Sequence, residues 1–106
     1  MIMRKGTFKV SVNPRAFNAS LDSGVRKGLV NDWFGIHGTA RHGYTVTHLA
    51  SGLKCGEGTS QAYARRIVEE LSELPIDWTA RNPLAGSSEK VREWVRAIAT
   101  GKQLQP

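Results

Sequence analysis

His37, His42, His48 and Cys55 have the widest chemical repertoire in this sequence. Imidazole and thiolate together can hold zinc, but structural zinc sites pair their ligands two to four residues apart. Here the steps are five, six and seven residues. No metal site is expected from that spacing, although His37 and His48 could approach each other if they fall on neighbouring strands. The same set could supply a thiol nucleophile and its base. The carboxylates that would support it, Glu69, Glu70 and Glu73, instead cluster as a solvated helix face does. The chain contains no P-loop, dinucleotide fingerprint or nucleophile elbow. Gly56-Glu57-Gly58 lacks the third glycine and downstream acid of a dinucleotide site. The expectation is a non-enzymatic protein with no catalytic residue and no cofactor.

The cations carry more information. The net charge is +6, and its distribution is uneven: ten basic residues face three acids through residue 68, and five face six thereafter. A positive excess concentrated in one part of a chain attracts phosphate backbones and acidic protein surfaces. Ser60, Arg65 and Arg66 open the clearest helix, and a helix start with a hydroxyl, exposed N–H groups and two arginines suits an anion. Arg41 and His42 lie at the tip of a polar loop bounded by Gly38 and Gly43, and Lys54 on the strand that leads to the helix. Arg41, His42, Lys54, Ser60, Arg65 and Arg66 are therefore the candidate partner-binding residues. Trp33, Trp78 and Trp94 are read as core anchors.

These residues need elements to hold them. Residues 7–12 alternate Phe8, Val10 and Val12 with Lys9 and Ser11, the period of a half-buried strand. Residues 33–37, 44–49 and 53–55 are β-prone and joined by short polar connections, which predicts an antiparallel meander over 33–55. Gly56-Glu57-Gly58 is read as the release from that meander. Tyr63, Ala64, Ile67, Val68, Leu71 and Leu74 form one apolar stripe of a helix over 60–74, closed by Pro75. A second helix over 88–100 buries Val91, Trp94, Val95 and Ile98. Between strand 7–12 and Trp33 two readings stand side by side. Phe17, Leu21, Val25 and Leu29 recur every four residues as in a helix, while Gly24 and Gly28 argue for a loop with one helical turn. No internal repeat is evident.

The run Tyr44-Thr45-Val46-Thr47 with Gly52 to Ser60 and Ala64-Arg65-Arg66 resembles the last strands and final helix of double-stranded-RNA-binding domains. It is also similar to the three-strand-plus-helix modules of the AP2 and integrase arm-binding type. The first resemblance implies phosphate contacts at the helix start, although Gln61 and Ala62 stand where that family has paired lysines. The second implies a sheet that reads DNA, although Thr45, Thr47 and Leu49 supply no arginine. In general style the chain resembles small bacteriophage proteins, some of which inhibit host nucleic-acid-targeting complexes of the CRISPR type.

The expected fold is α+β, a three- to four-stranded antiparallel sheet packed on a helix, with a further C-terminal helix. Residues 1–101 are read as a single domain and 102–106 as a frayed tail. The core is expected to hold Phe8, Val10, Ile36, Val46, Leu53, Tyr63, Ile67, Leu71, Trp78, Trp94, Val95 and Ile98. A lone cysteine, no apolar leader and no membrane-length apolar run predict a cytoplasmic protein. The expected partner is nucleic acid, or an acidic surface of a nucleic-acid-handling complex, and not a membrane.

Overall fold

The computed structural model describes residues 2–10, 24–86 and 88–99. Five strands follow one another in chain order: β1 (Arg4–Lys9), β2 (Val25–Val30), β3 (Phe34–Thr39), β4 (Gly43–His48) and β5 (Leu53–Gly58). They form one antiparallel sheet of order β1-β2-β3-β4-β5. Helices α1 (Gln61–Ser72) and α2 (Glu89–Ala99) complete the α+β fold. The expected class holds, but the sheet has five strands where three to four were expected. The added strand is β2, in the segment read as helix or loop. The tail 102–106 lies outside the described residues, as do Phe17 and Leu21.

Local chemistry explains the connections. Between β2 and β3, the Asn31 carboxamide oxygen accepts the backbone N–H groups of Trp33 at 2.9 Å and Phe34 at 2.8 Å. The side chain thereby closes the hairpin as an Asx turn does. Ser60 caps α1 with extended backbone angles, its hydroxyl oxygen accepting the Tyr63 N–H at 3.1 Å. A bulge between Val46 and Thr47 leaves Cys55 as the extra residue of β5, since Val46 pairs with Gly56 and Thr47 with Lys54.

Paired residues across an antiparallel sheet share a face. Phe34, Ile36 and Val46 point to the helix side, where they meet Ala64, Ile67, Val68 and Leu71 of α1. Trp78 closes this core. Its indole N–H donates to the Leu71 carbonyl at 2.9 Å, and its ring meets Phe34 edge-on at 5.0 Å. The strand glycines let α1 sit directly on β5: a β-carbon at Gly56 would press on Ile67, and one at Gly58 on Tyr63. Gly56–Gly58 is therefore strand, a correction to its reading as a release loop. Leu53, expected in the core, is 60% exposed, because α1 meets β5 at Gly56 and Gly58 and Leu53 begins the strand. Val10, Tyr63, Trp94 and Ile98 are half-buried, while Met3, Val30, Phe34, Ala64 and Val68 join the buried set.

The helices do not cover the whole sheet. Among the described residues α1 packs on β3, β4 and β5, and α2 on β5 and α1, while the main neighbour of β1 is β2. The β1–β2 ribbon is thus a two-stranded extension whose base, through Met3 and Leu29, joins the core. At its far end the Val10 N–H donates to the Gly24 carbonyl at 2.6 Å.

Candidate nucleic-acid interface

The ribbon is built from one tripeptide used twice. Arg4-Lys5-Gly6 begins β1, and Arg26-Lys27-Gly28 occupies β2. Their pairing is antiparallel with Gly6 opposite Gly28, Lys5 opposite Leu29 and Lys27 opposite Thr7. A local twofold axis through the glycine pair, normal to the sheet, therefore relates Lys5 to Lys27 and Arg4 to Arg26. Lys5, Thr7, Lys9, Val25 and Lys27 share the face on which the helices lie, but beyond the helices' reach, and all five are exposed. Arg4, Phe8 and Arg26 share the other face.

Neither strand contains an acid, so five cations stand on twelve residues with no carboxylate among them. Among the described residues the ion pairs are Lys54–Glu57, Arg66–Glu70 and Arg96–Glu89. None of these three involves Arg4, Lys5, Lys9 or Lys27. One Arg26 guanidinium nitrogen donates to the Val25 carbonyl at 3.0 Å.

Glycines shape this surface. A β-carbon at Gly28 would lie 1.8 Å from the Ile36 carbonyl oxygen, so no other residue fits beside β3 without moving a backbone. The β2–β3 pairing runs only through Leu29–Ile36 and Val30–Gly35, so β2 parts from β3 at Gly28. On the outer face the Phe8 ring lies down on Gly35, where a β-carbon would stand 2.8 Å from three ring atoms. Phe8 also meets the His37 ring at 5.8 Å. Phe8 thereby ties the outer face of the ribbon to β3, beside the Leu29–Ile36 and Val30–Gly35 pairing.

The residues chosen from sequence lie elsewhere. Arg41 and His42 are exposed at the β3–β4 tip, where the Thr39 hydroxyl oxygen accepts the His42 N–H at 3.1 Å. Lys54 pairs with Glu57, and Arg66 donates to Glu70 at 3.3 Å. Arg65 is exposed, and the Ser60 hydroxyl oxygen is engaged as the helix cap. Arg41, His42 and Lys54 line a common groove of about 1200 Å³ with Tyr44, Tyr63 and Leu84; Ser60, Arg65 and Arg66 do not line it. The ribbon cations entered the sequence reading only as part of the charge count. The repeated Arg-Lys-Gly was the signal that could have found them. It is too short to register as a repeat, and becomes meaningful only when the two copies pair.

Position decides what the histidines and the cysteine touch. His37 pairs with Thr45 and His48 with Phe34, an odd step apart on β3, so the two rings point to opposite faces. His48 is buried: its Nε2 donates to the Trp78 carbonyl at 2.7 Å, and its Nδ1 lies 2.8 Å from the Ser51 hydroxyl. Both nitrogens are consumed in holding the core. Among the described residues no three His, Cys, Asp or Glu side chains gather as a metal site would need. Burial pushes the Cys55 thiol up to about 12, so it is protonated and weakly nucleophilic at neutral pH. Among the described residues no helix is long and apolar enough to cross a membrane.

Compared with family models, with curated proteins and with solved structures, the chain matches none.

Proposed function

We propose that this protein is a non-enzymatic nucleic-acid-binding domain that grips phosphates through the β1–β2 ribbon. One observation carries the reading: Arg4, Lys5, Lys9, Arg26 and Lys27 stand together on two strands that contain no acid and that no helix covers among the described residues. Lysine offers a compact point charge for phosphate contact, and the net attraction grows with the number of cations gathered in one region. Arg41, His42, Lys54, Ser60, Arg65 and Arg66 form a secondary set, weaker because Glu57, Glu69, Glu70 and Glu73 lie among them.

The test is binding to a fluorescent nucleic acid across a salt series. Each phosphate neutralised on B-form DNA contributes a slope of about −0.9 in log K against log salt. Lys5→Gln/Lys9→Gln/Lys27→Gln should bind at least about tenfold more weakly at low salt and flatten the slope by about 2.7. Absence of low-salt binding to any nucleic acid, or binding that salt does not weaken, would refute the reading.

A second reading rests on the groove beside the β3–β4 tip. Tyr44, Tyr63, Leu84 and Val95 give it apolar walls, Arg41, His42 and Arg96 add basic groups, and Lys54 pairs with Glu57. Such a surface suits an acidic face of a nucleic-acid-handling protein complex. Nuclease-treated pull-down with wild-type protein and Arg41→Glu separates the two: a stoichiometric protein partner lost with Arg41→Glu but kept by the ribbon variant favours the groove.

A further inference from the structure

Resting on the phosphate-binding reading, we infer that the lysine face of the ribbon lies flat in the major groove of a B-form DNA duplex, with Lys5 against one backbone and Lys27 against the other. The argument is one of symmetry and size. The two strands of a duplex are antiparallel, so a local twofold axis looks into each groove and relates one phosphate chain to the other. The ribbon has the same symmetry element, through Gly6–Gly28 and normal to its face. Superposing the axes gives each backbone an identical lysine. A single strand or an acidic protein patch has no such axis and gains nothing from the duplication.

The dimensions agree. Lys5 and Lys27 are diagonal neighbours, about 7–8 Å apart at their backbones, and their long side chains diverge. A B-form major groove is about 12 Å wide and admits a two-stranded ribbon. The major groove of A-form RNA is too deep and narrow for it. Thr7 and Leu29, the latter half-buried against the core, flank the axis between the lysines; the exposed short side chains of the face are Thr7 and, beyond Lys27, Val25. Neither projects far enough to hold the ribbon off the groove floor, and the Thr7 hydroxyl can bond a base edge. Lys9, paired with Val25 toward the ribbon end, extends the row by one more phosphate. The step where α1 begins to cover the sheet limits insertion to the ribbon itself.

The experiment compares one sequence as a DNA duplex, a DNA single strand and an RNA duplex, by fluorescence anisotropy at a fixed low salt concentration. The wild-type chain, Lys5→Glu, Lys27→Glu and Arg4→Glu are each titrated, with far-UV circular dichroism confirming the fold. The duplex DNA should bind at least about tenfold tighter than the other two. Lys5→Glu and Lys27→Glu should weaken it to within about threefold of each other, and Arg4→Glu, on the opposite face, by less than either. Equal or tighter binding to the single strand or RNA duplex overturns the groove placement and leaves phosphate binding standing. A tenfold disparity between the two lysine variants overturns the shared axis. Failure of all three nucleic acids to bind overturns the proposed function as well.

Discussion

The β1–β2 ribbon and helix α1 both carry clusters of cations, and they treat them in opposite ways. On α1, Arg65 and Arg66 are followed by Glu69, Glu70 and Glu73, and Arg66 is paired with Glu70 at 3.3 Å. On the ribbon, Arg4, Lys5, Lys9, Arg26 and Lys27 have no acid on either strand. The body around α1 contributes the apolar core: Phe34, Leu71 and Val46 are fully buried there, and the ribbon adds Phe8 and Val30 at its margin. Exposed pairs such as Arg66–Glu70 contribute little stability. Their effect is to offset positive charge on the helix, an offset that no acid within β1 or β2 supplies. A count of basic residues along a chain does not show where they stand without acids; the paired strands do.

The division between a folding body and a charged extension can be broken most severely at Phe34. Phe34→Ala removes a fully buried ring that touches Trp78 edge-on, and should cost about 3–5 kcal/mol by chemical denaturation. Loss of less than about 1 kcal/mol would mean that the body is not the source of stability. Gly28→Ala strikes the join between the parts. Its methyl would meet the Ile36 carbonyl, and a cost of about 1–3 kcal/mol is expected. Hydrogen exchange should show β1 and β2 losing protection while α1 keeps it; uniform loss would show one cooperative unit. The smallest effect sharpens the contrast. Glu70→Gln frees Arg66, so stability should shift by less than about 0.5 kcal/mol, and nucleic-acid affinity should rise by less than about threefold. A larger gain would move the binding surface to α1.

What could be read from the sequence follows from how local each signal is. The alternation around Phe8 and Val46 and the stripe from Tyr63 to Leu74 gave the elements that face one core, because burial on one side imposes a period. Strand β2 escaped because Val-Arg-Lys-Gly-Leu-Val has no such contrast. Its strand state comes from pairing with β1 across the chain, so Val25 and Leu29 stand on a strand although their spacing of four suits a helix. Leu53 escaped because hydrophobicity alone does not say where a helix layer ends. The candidate site suffered most from this. Arg41, Lys54, Ser60, Arg65 and Arg66 stood out by neighbouring turns and caps, which are local. The ribbon cations become a surface only when residues 4–9 meet residues 25–30, and no local window contains both.

The contact of Phe8 with Gly35 has a mechanical consequence. The ring rests on bare backbone, so position 35 works as a shim beneath the ribbon. Whatever thickness occupies it sets the tilt of the extension against the body. Substitution there would push on the Phe8 ring and shift the ribbon's five cations together while altering no charge.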